Sequence, residues 1–153
     1  MPEPTSSPHS DPMDLLHEPG HLIRRAHQRA VSVFHDTHGR DVTPVQYALL
    51  RALDKDPGID QVTLAERVAL DTSTTADIAA RMEKKGWIRR ELLARRQRSL
   101  HLTSEGQALL AAMLPRVDPM YEQLLSSLTP SERQQLLGLL QKLVGLASPE
   151  DAG

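Results

Sequence analysis

Residues 60–86, DQVTLAERVALDTSTTADIAARMEKKG, decide the fold. Asp60 is a helix-capping residue type, and the short run behind it, Gln61 to Val68, sets Val62, Leu64, Ala65 and Val68 at the spacing of one helical face. Ala69, Leu70 and Asp71 read as a turn. A second helix is predicted from Thr72 to Lys85, with Ile78, Ala79 and Met82 as its inward stripe. It stops at Gly86, where the missing Cβ permits a left-handed cap. Two short helices joined by so brief a turn make a helix-turn-helix.

Upstream, Thr43 and Pro44 read as a cap and first helical residue, opening a helix through Tyr47, Leu49, Leu50 and Leu53 that Asp56-Pro57-Gly58 stops. From Asp14 to about Thr37, Leu15, Leu16, Leu22, Ile23, Ala26, Ala30, Val33 and Phe34 recur at helical spacing. Pro19 and Gly20 mark a break near its start, and the helix ends at His38-Gly39. Downstream, Trp87–Leu92 and Ser99–Leu102 are strand-like and flank Ala94-Arg95-Arg96-Gln97-Arg98, which makes a hairpin with a cationic tip. Thr103 caps a long helix, interrupted at Pro115 and Pro119, that runs to about Ser126. Thr129-Pro130-Ser131-Glu132 forms a capping box for the last helix, which carries Leu136, Leu137, Leu139, Leu140, Leu143 and Val144. The expected class is mostly α with a small β wing. Residues 13–147 form one domain, residues 1–12 are a Pro- and Ser-rich disordered tail, and 148–153 are a second tail.

The chain has 153 residues, 39% of them hydrophobic but only 3% aromatic, a composition suited to helix packed on helix. It has no cysteine, which excludes disulfides, thiol redox sensing and thiolate zinc sites. No apolar run approaches the roughly 18 residues of a membrane span, and no export signal is visible, so the expected location is cytoplasmic. There is no glycine-rich phosphate loop, nucleophile elbow or metal-ligand spacing, so an enzyme is not expected, nor is a cofactor or a metal site.

Charge is segregated. The net charge is −2, yet residues 81–98 hold Arg81, Lys84, Lys85, Arg89, Arg90, Arg95, Arg96 and Arg98 against Glu83 and Glu91. That local +6 leaves −8 on the remainder, as expected of a chain that neutralises phosphates at one place and stays soluble elsewhere. Double-stranded DNA is therefore the expected partner. A recognition helix offers its first turns to base edges, so Thr72, Ser73, Thr75, Ala76 and Asp77 are candidate readers, with Arg81 behind them. Arg96 at the hairpin tip suits a narrow minor groove, and Arg95 and Arg98 suit phosphates.

Leu64-Ala65-Glu66-Arg67-Val68, Arg81-Met82-Glu83-Lys84-Lys85-Gly86-Trp87-Ile88, and Arg96 followed by Leu102-Thr103-Ser104-Glu105-Gly106 together resemble the multiple-antibiotic-resistance-regulator (MarR) family of transcription factors. The resemblance spans Leu15 to Leu146. It implies a winged helix-turn-helix over about 43–103, set between dimerisation helices over about 14–38 and 104–146, with a homodimer on a pseudo-palindromic operator. Two positions depart from the family pattern. Ala94 replaces the acidic residue usual two places before the minor-groove arginine, and Asp77 stands where many members carry a basic or small polar residue. An acid there either accepts from a cytosine amino group or orients a neighbouring arginine.

The first stretch also resembles repressors of aromatic-acid and nicotinate catabolism, which implies a repressor released by a small aromatic carboxylate. Candidate effector residues are His17, His21, Arg24 and Arg25 for the acid group and Tyr47, Met113 and Met120 for the ring. Two other readings compete: a regulator that binds DNA without any effector, and a winged helix that binds only protein.

Overall fold

The computed structural model describes residues 14–146. The expected tails, 1–12 and 148–153, lie outside the described residues.

The described residues up to Val117 and those from Asp118 onward form two compact units. The first holds helices α1 (Pro19–His38), α2 (Pro44–Lys55), α3 (Gln61–Arg67), α4 (Thr72–Lys84) and α5 (Ser104–Met113), and strands β1 (Ile59–Asp60), β2 (Ile88–Leu92) and β3 (Arg98–Leu102). At the boundary α6 (Val117–Leu124) begins, and α7 (Pro130–Leu143) follows in the second unit.

Most helix starts are fixed by the residue just before them. Thr43 accepts from the Gln46 amide while the Gln46 side chain accepts from Thr43, a closed capping box. Thr129 and Glu132 repeat it at α7. Asp60 accepts from the Thr63 amide at 2.9 Å, and Thr103 from the Gly106 amide at 3.0 Å. Each bond satisfies an amide that has no partner inside its helix. Asp71, expected in the turn, is itself the cap of α4.

Four other expectations change. The first helix starts at Pro19, after a separate 3-10 turn at Leu15–His17, because proline fits the first helical position better than an interior one. Val62 does not face inward: it is 57% exposed. The helix after Thr103 breaks into a 3-10 turn at Leu114–Arg116 around Pro115, whereas Pro119 falls in the first turn of α6, where no intrahelical amide bond is lost. Finally, the sheet has a third strand. Its order is β1-β3-β2, all antiparallel, with Ile59 opposite Leu100 and Ile88 opposite Leu102.

The core of the first unit is sealed by Leu49, Leu50 and Leu53 of α2, Leu64 of α3, Met82 of α4, Ile88 and Leu100 of the sheet, and Leu110 of α5, all fully buried. Gly106 lets α5 seat against the start of β2: a Cβ there would stand 2.0 Å from the Trp87 carbonyl oxygen. In contrast, Leu22 and Ile23 on α1 are exposed, and α7 has no buried residue at all.

Candidate nucleic-acid interface

The turn between α3 and α4 holds Ala69 in the left-handed region at φ +57°, closed by Leu70 N–H donating to Ala65 O at 3.0 Å. It delivers α4 with Thr72, Ser73 and Asp77 exposed and Ala76 half-exposed. Thr75 corrects the sequence reading. It is fully buried, and its hydroxyl donates to the Asp71 carbonyl at 2.9 Å, so it belongs to the inner stripe of α4 with Ala79 and Met82. It has no surface to offer a base.

Beside α4 stands the hairpin of β2 and β3. Residues directly opposed on antiparallel strands share a face, and here that face carries Ile88 with Leu102, Arg90 with Leu100, and Leu92 with Arg98. Arg90 turns toward α4, where its guanidinium grips Glu83 at 3.0 and 3.2 Å. The Arg90 hydrogen bonds, above all those from its side chain, hold the Glu83 carboxyl below its ordinary value. Leu92, 71% exposed, and Arg98 carry the same face out beyond the core. At the tip, Leu93 N–H donates to Gln97 O and Arg95 adopts φ +68°, so the turn closes through a left-handed arginine. The side chain of Arg96 lies outside the described residues.

The eight cations of 81–98 are not equivalent. Lys85 donates to the Asp41 carbonyl at 3.0 Å and lies 4.6 Å above the Trp87 ring, Arg90 is held by Glu83, and Arg89 sits 3.3 Å from Glu91. Arg81, Lys84, Arg95 and Arg98 are exposed and form no ion pair among the described residues. Two open grooves run beside α4. One of about 480 Å³ is lined by Asp60, Gln61, Val62, Thr72, Gln97 and Arg98, and one of about 650 Å³ by Asp77, Ala80, Arg81, Glu83, Lys84 and Arg90. Lys84, Gln61, Val62 and Gln97 are not among the DNA-contact residues expected from the sequence. Lys84 was visible as a charge one turn after Ala80, whereas the other three join the groove only through the meeting of α3, α4 and the wing.

The candidate effector residues do not form one cluster within the first unit. His17 pairs with Asp14, His21 Nδ1 lies 3.2 Å from the Arg24 guanidinium, and Arg25 is exposed. Tyr47 stands elsewhere, against Phe34 and stacked on His38 with ring centres 6.2 Å apart, and its hydroxyl accepts from Arg51 at 3.0 Å. Phe34 is nine residues beyond Arg25 and thirteen beyond His21 on α1. That is about 14 to 20 Å along the helix axis. Met113 is buried in α5 and Met120 in α6. The structure adds His38 to the ring cluster: its Nε2 is buried without a hydrogen-bond partner, and burial, with the nearby Arg116 charge, lowers its pKa.

No described helix is long and apolar enough to cross a membrane. The MarR family model matches residues 42–99, the segment from just before α2 to the start of β3. The HTH-type transcriptional repressor NicR of Pseudomonas putida is 33% identical over 98% of this chain and 96% of its own length. Two solved structures are similar along almost their whole length. PcaV of Streptomyces coelicolor, in complex with its natural ligand, is 31% identical with a TM-score of 0.83 over 90% of this chain and 99% of that one. BpsR of Bordetella bronchiseptica, whose DNA binding is regulated by 6-hydroxynicotinic acid, is 28% identical with a TM-score of 0.81 over 88% of this chain and 98% of that one. With the family model matching the helix-turn-helix and wing, and 33% identity to a transcriptional repressor across nearly the whole of both chains, this chain belongs to the MarR family of transcriptional regulators.

Proposed function

We propose that the chain acts in the cytoplasm as a homodimeric repressor, holding a pseudo-palindromic operator through α4 and the wing of each protomer and releasing it when a small aromatic carboxylate binds. The observation that carries this reading is the set of exposed Arg81, Lys84, Arg95 and Arg98 on α4 and the hairpin, which form no ion pair among the described residues, in a chain whose net charge is −2. Thr72, Ser73, Ala76 and Asp77 face the same side as base readers, and Arg96 is assigned to the minor groove. The exposed apolar residues of α1 and α7 support a second copy as partner. NicR, a repressor, and BpsR, regulated by 6-hydroxynicotinic acid, support the effector class. The ring of the acid is assigned to Tyr47, Phe34 and His38. Because His21, Arg24 and Arg25 of the same chain are too far along α1 to reach it, its carboxylate is assigned to those residues of the second protomer.

Release needs only unequal binding of the acid to the two DNA-affinity states, and tenfold weaker operator binding corresponds to about 1.4 kcal/mol. The test is operator binding across a salt series, using duplex from the region upstream of the gene beside random duplex, with Arg96→Ala as variant. Tight, selective, salt-steep binding that weakens in Arg96→Ala and again on adding 6-hydroxynicotinic acid or a hydroxybenzoic acid supports the full reading. Selective binding that no acid changes removes the effector and leaves the regulator. Equal, weak binding to random duplex removes the DNA role.

A further inference from the structure

The hydroxyl protons at the start of α4 are already committed. Ser73 Oγ donates to Asp71 Oδ1 at 2.8 Å, Thr74 Oγ1 to Asp71 Oδ2 at 2.7 Å, and Thr75 Oγ1 to the Asp71 carbonyl at 2.9 Å. Asp71 also accepts the Thr74 amide at 2.7 Å. The Thr74 hydroxyl, its amide and the Ser73 hydroxyl together hold the Asp71 carboxyl at about 2, so it remains an acceptor at neutral pH. A hydroxyl has one proton and two lone pairs. Once that proton points at Asp71, the exposed Ser73 and Thr74 oxygens can only accept from a further partner. One turn on, Asp77 is exposed and forms no ion pair among the described residues, although Arg81 stands four residues away. Among the described residues, Thr72 is the one hydroxyl of this turn that donates to no acceptor.

We infer that the first two turns of α4 read DNA as hydrogen-bond acceptors, with Asp77 the specificity-determining residue that selects a cytosine in each half-site through its N4 amino group. This rests on the assignment of α4 as the recognition helix. In the major groove, only cytosine N4 and adenine N6 offer donors, while guanine O6 and N7 and thymine O4 offer lone pairs. A carboxylate facing guanine or thymine meets electron pairs with electron pairs and is left desolvated without a partner. Adenine sets its N7 acceptor beside N6 and suits an amide, which both gives and takes; a carboxylate suits cytosine, which has no such neighbouring acceptor. Asp77 thus acts largely by penalising wrong bases. Arg81 and Lys84, in the same groove as Asp77, offset the repulsion between its charge and the phosphates.

The experiment is a binding selection from a random duplex pool, run in parallel with wild-type protein, Asp77→Ala and Asp77→Asn. The wild-type site is then resynthesised with N4-methylcytosine at single positions, which keeps pairing with guanine but removes the major-groove N–H. Wild type is expected to enrich a cytosine at one position per half-site, and methylation there to weaken binding about tenfold. Asp77→Ala is expected to lose that one preference, become indifferent to the methyl group, and bind random duplex more tightly because a negative charge has gone. Asp77→Asn is expected to move the preference to adenine. An unchanged selected site in Asp77→Ala overturns the inference, as does a wild-type site at which no N4-methylcytosine weakens binding. If wild type enriches no sequence, the recognition-helix assignment falls and takes the inference with it, an outcome separate from the other two.

Discussion

In α2, Leu49, Leu50 and Leu53 are shut off from solvent, whereas in α7 Leu137, Leu139 and Leu143 are 55%, 65% and 64% exposed. The residue type is the same, and both helices open with the same capping box. What differs is where the partners come from. Around α2, the same chain supplies α3, α5 and strand β3 as neighbours. Around α7 the described chain leaves an apolar surface bare, and burying one such side chain is worth about 1.5–3 kcal/mol. The packing of the winged region is therefore supplied within a single chain, whereas the proposed second copy would complete the packing of the last helix and make it depend on concentration.

Leu50→Ala should break the self-contained side. It should lower the free energy of unfolding by about 2–5 kcal/mol, by the same amount at every protein concentration in urea titrations. A loss that shrinks as protein is added would erase the distinction. Replacing Leu139 and Leu143 together by Asp should break the other side: sedimentation should show monomers, and operator binding should weaken at least tenfold, which is about 1.4 kcal/mol. The Trp87 fluorescence that reports the winged region should persist, and a double variant that stays dimeric would refute the contrast. Thr129→Ala removes the α7 cap, and about 1 kcal/mol with it. Amide exchange should quicken in 130–143 and stay unchanged in 44–55.

The smallest expected effect is at the Asp71 cap. Its folded pKa of about 2 lies below the ordinary 3.8. Its contribution is therefore fully present above the unfolded value and is lost as pH falls through the folded one. Asp71→Asn keeps a capping oxygen without the titration. The gap in melting temperature between the two proteins should narrow as pH drops from about 4 to about 2, and a gap constant over that range would rule the cap's charge out.

What the sequence made legible was mostly local. Thr43-Pro44, Asp60, Thr103 and Thr129-Pro130 announce their helices because a cap acts within three residues. Thr75 was misjudged because a hydroxyl looks like a surface group, although its spacing from Ala79 and Met82 already places it on the inner stripe. Strand β1 escaped notice because two residues carry no pattern of their own; they become a strand only by pairing with Leu100 and Ser99, some forty positions on. The basic segment was visible as a count, but its division was not. Lys85 is held by a carbonyl 44 residues upstream and by Trp87, and Arg90 by Glu83, and such pairings exist only once the chain has folded. The scatter of effector residues has the same origin: helical periodicity puts side chains on a face, but it is the length of α1 that separates His21 from Phe34.

If the effector site is shared between protomers as proposed, that separation has a genetic consequence. A chain carrying Arg25→Ala and another carrying Tyr47→Ala would each form homodimers deaf to the effector. Produced in one cell, they would also form mixed dimers, in which the intact basic end of one chain meets the intact rings of the other at one of the two sites. The two alleles would then complement each other and restore part of the response, whereas a site contained within one chain would leave every combination silent.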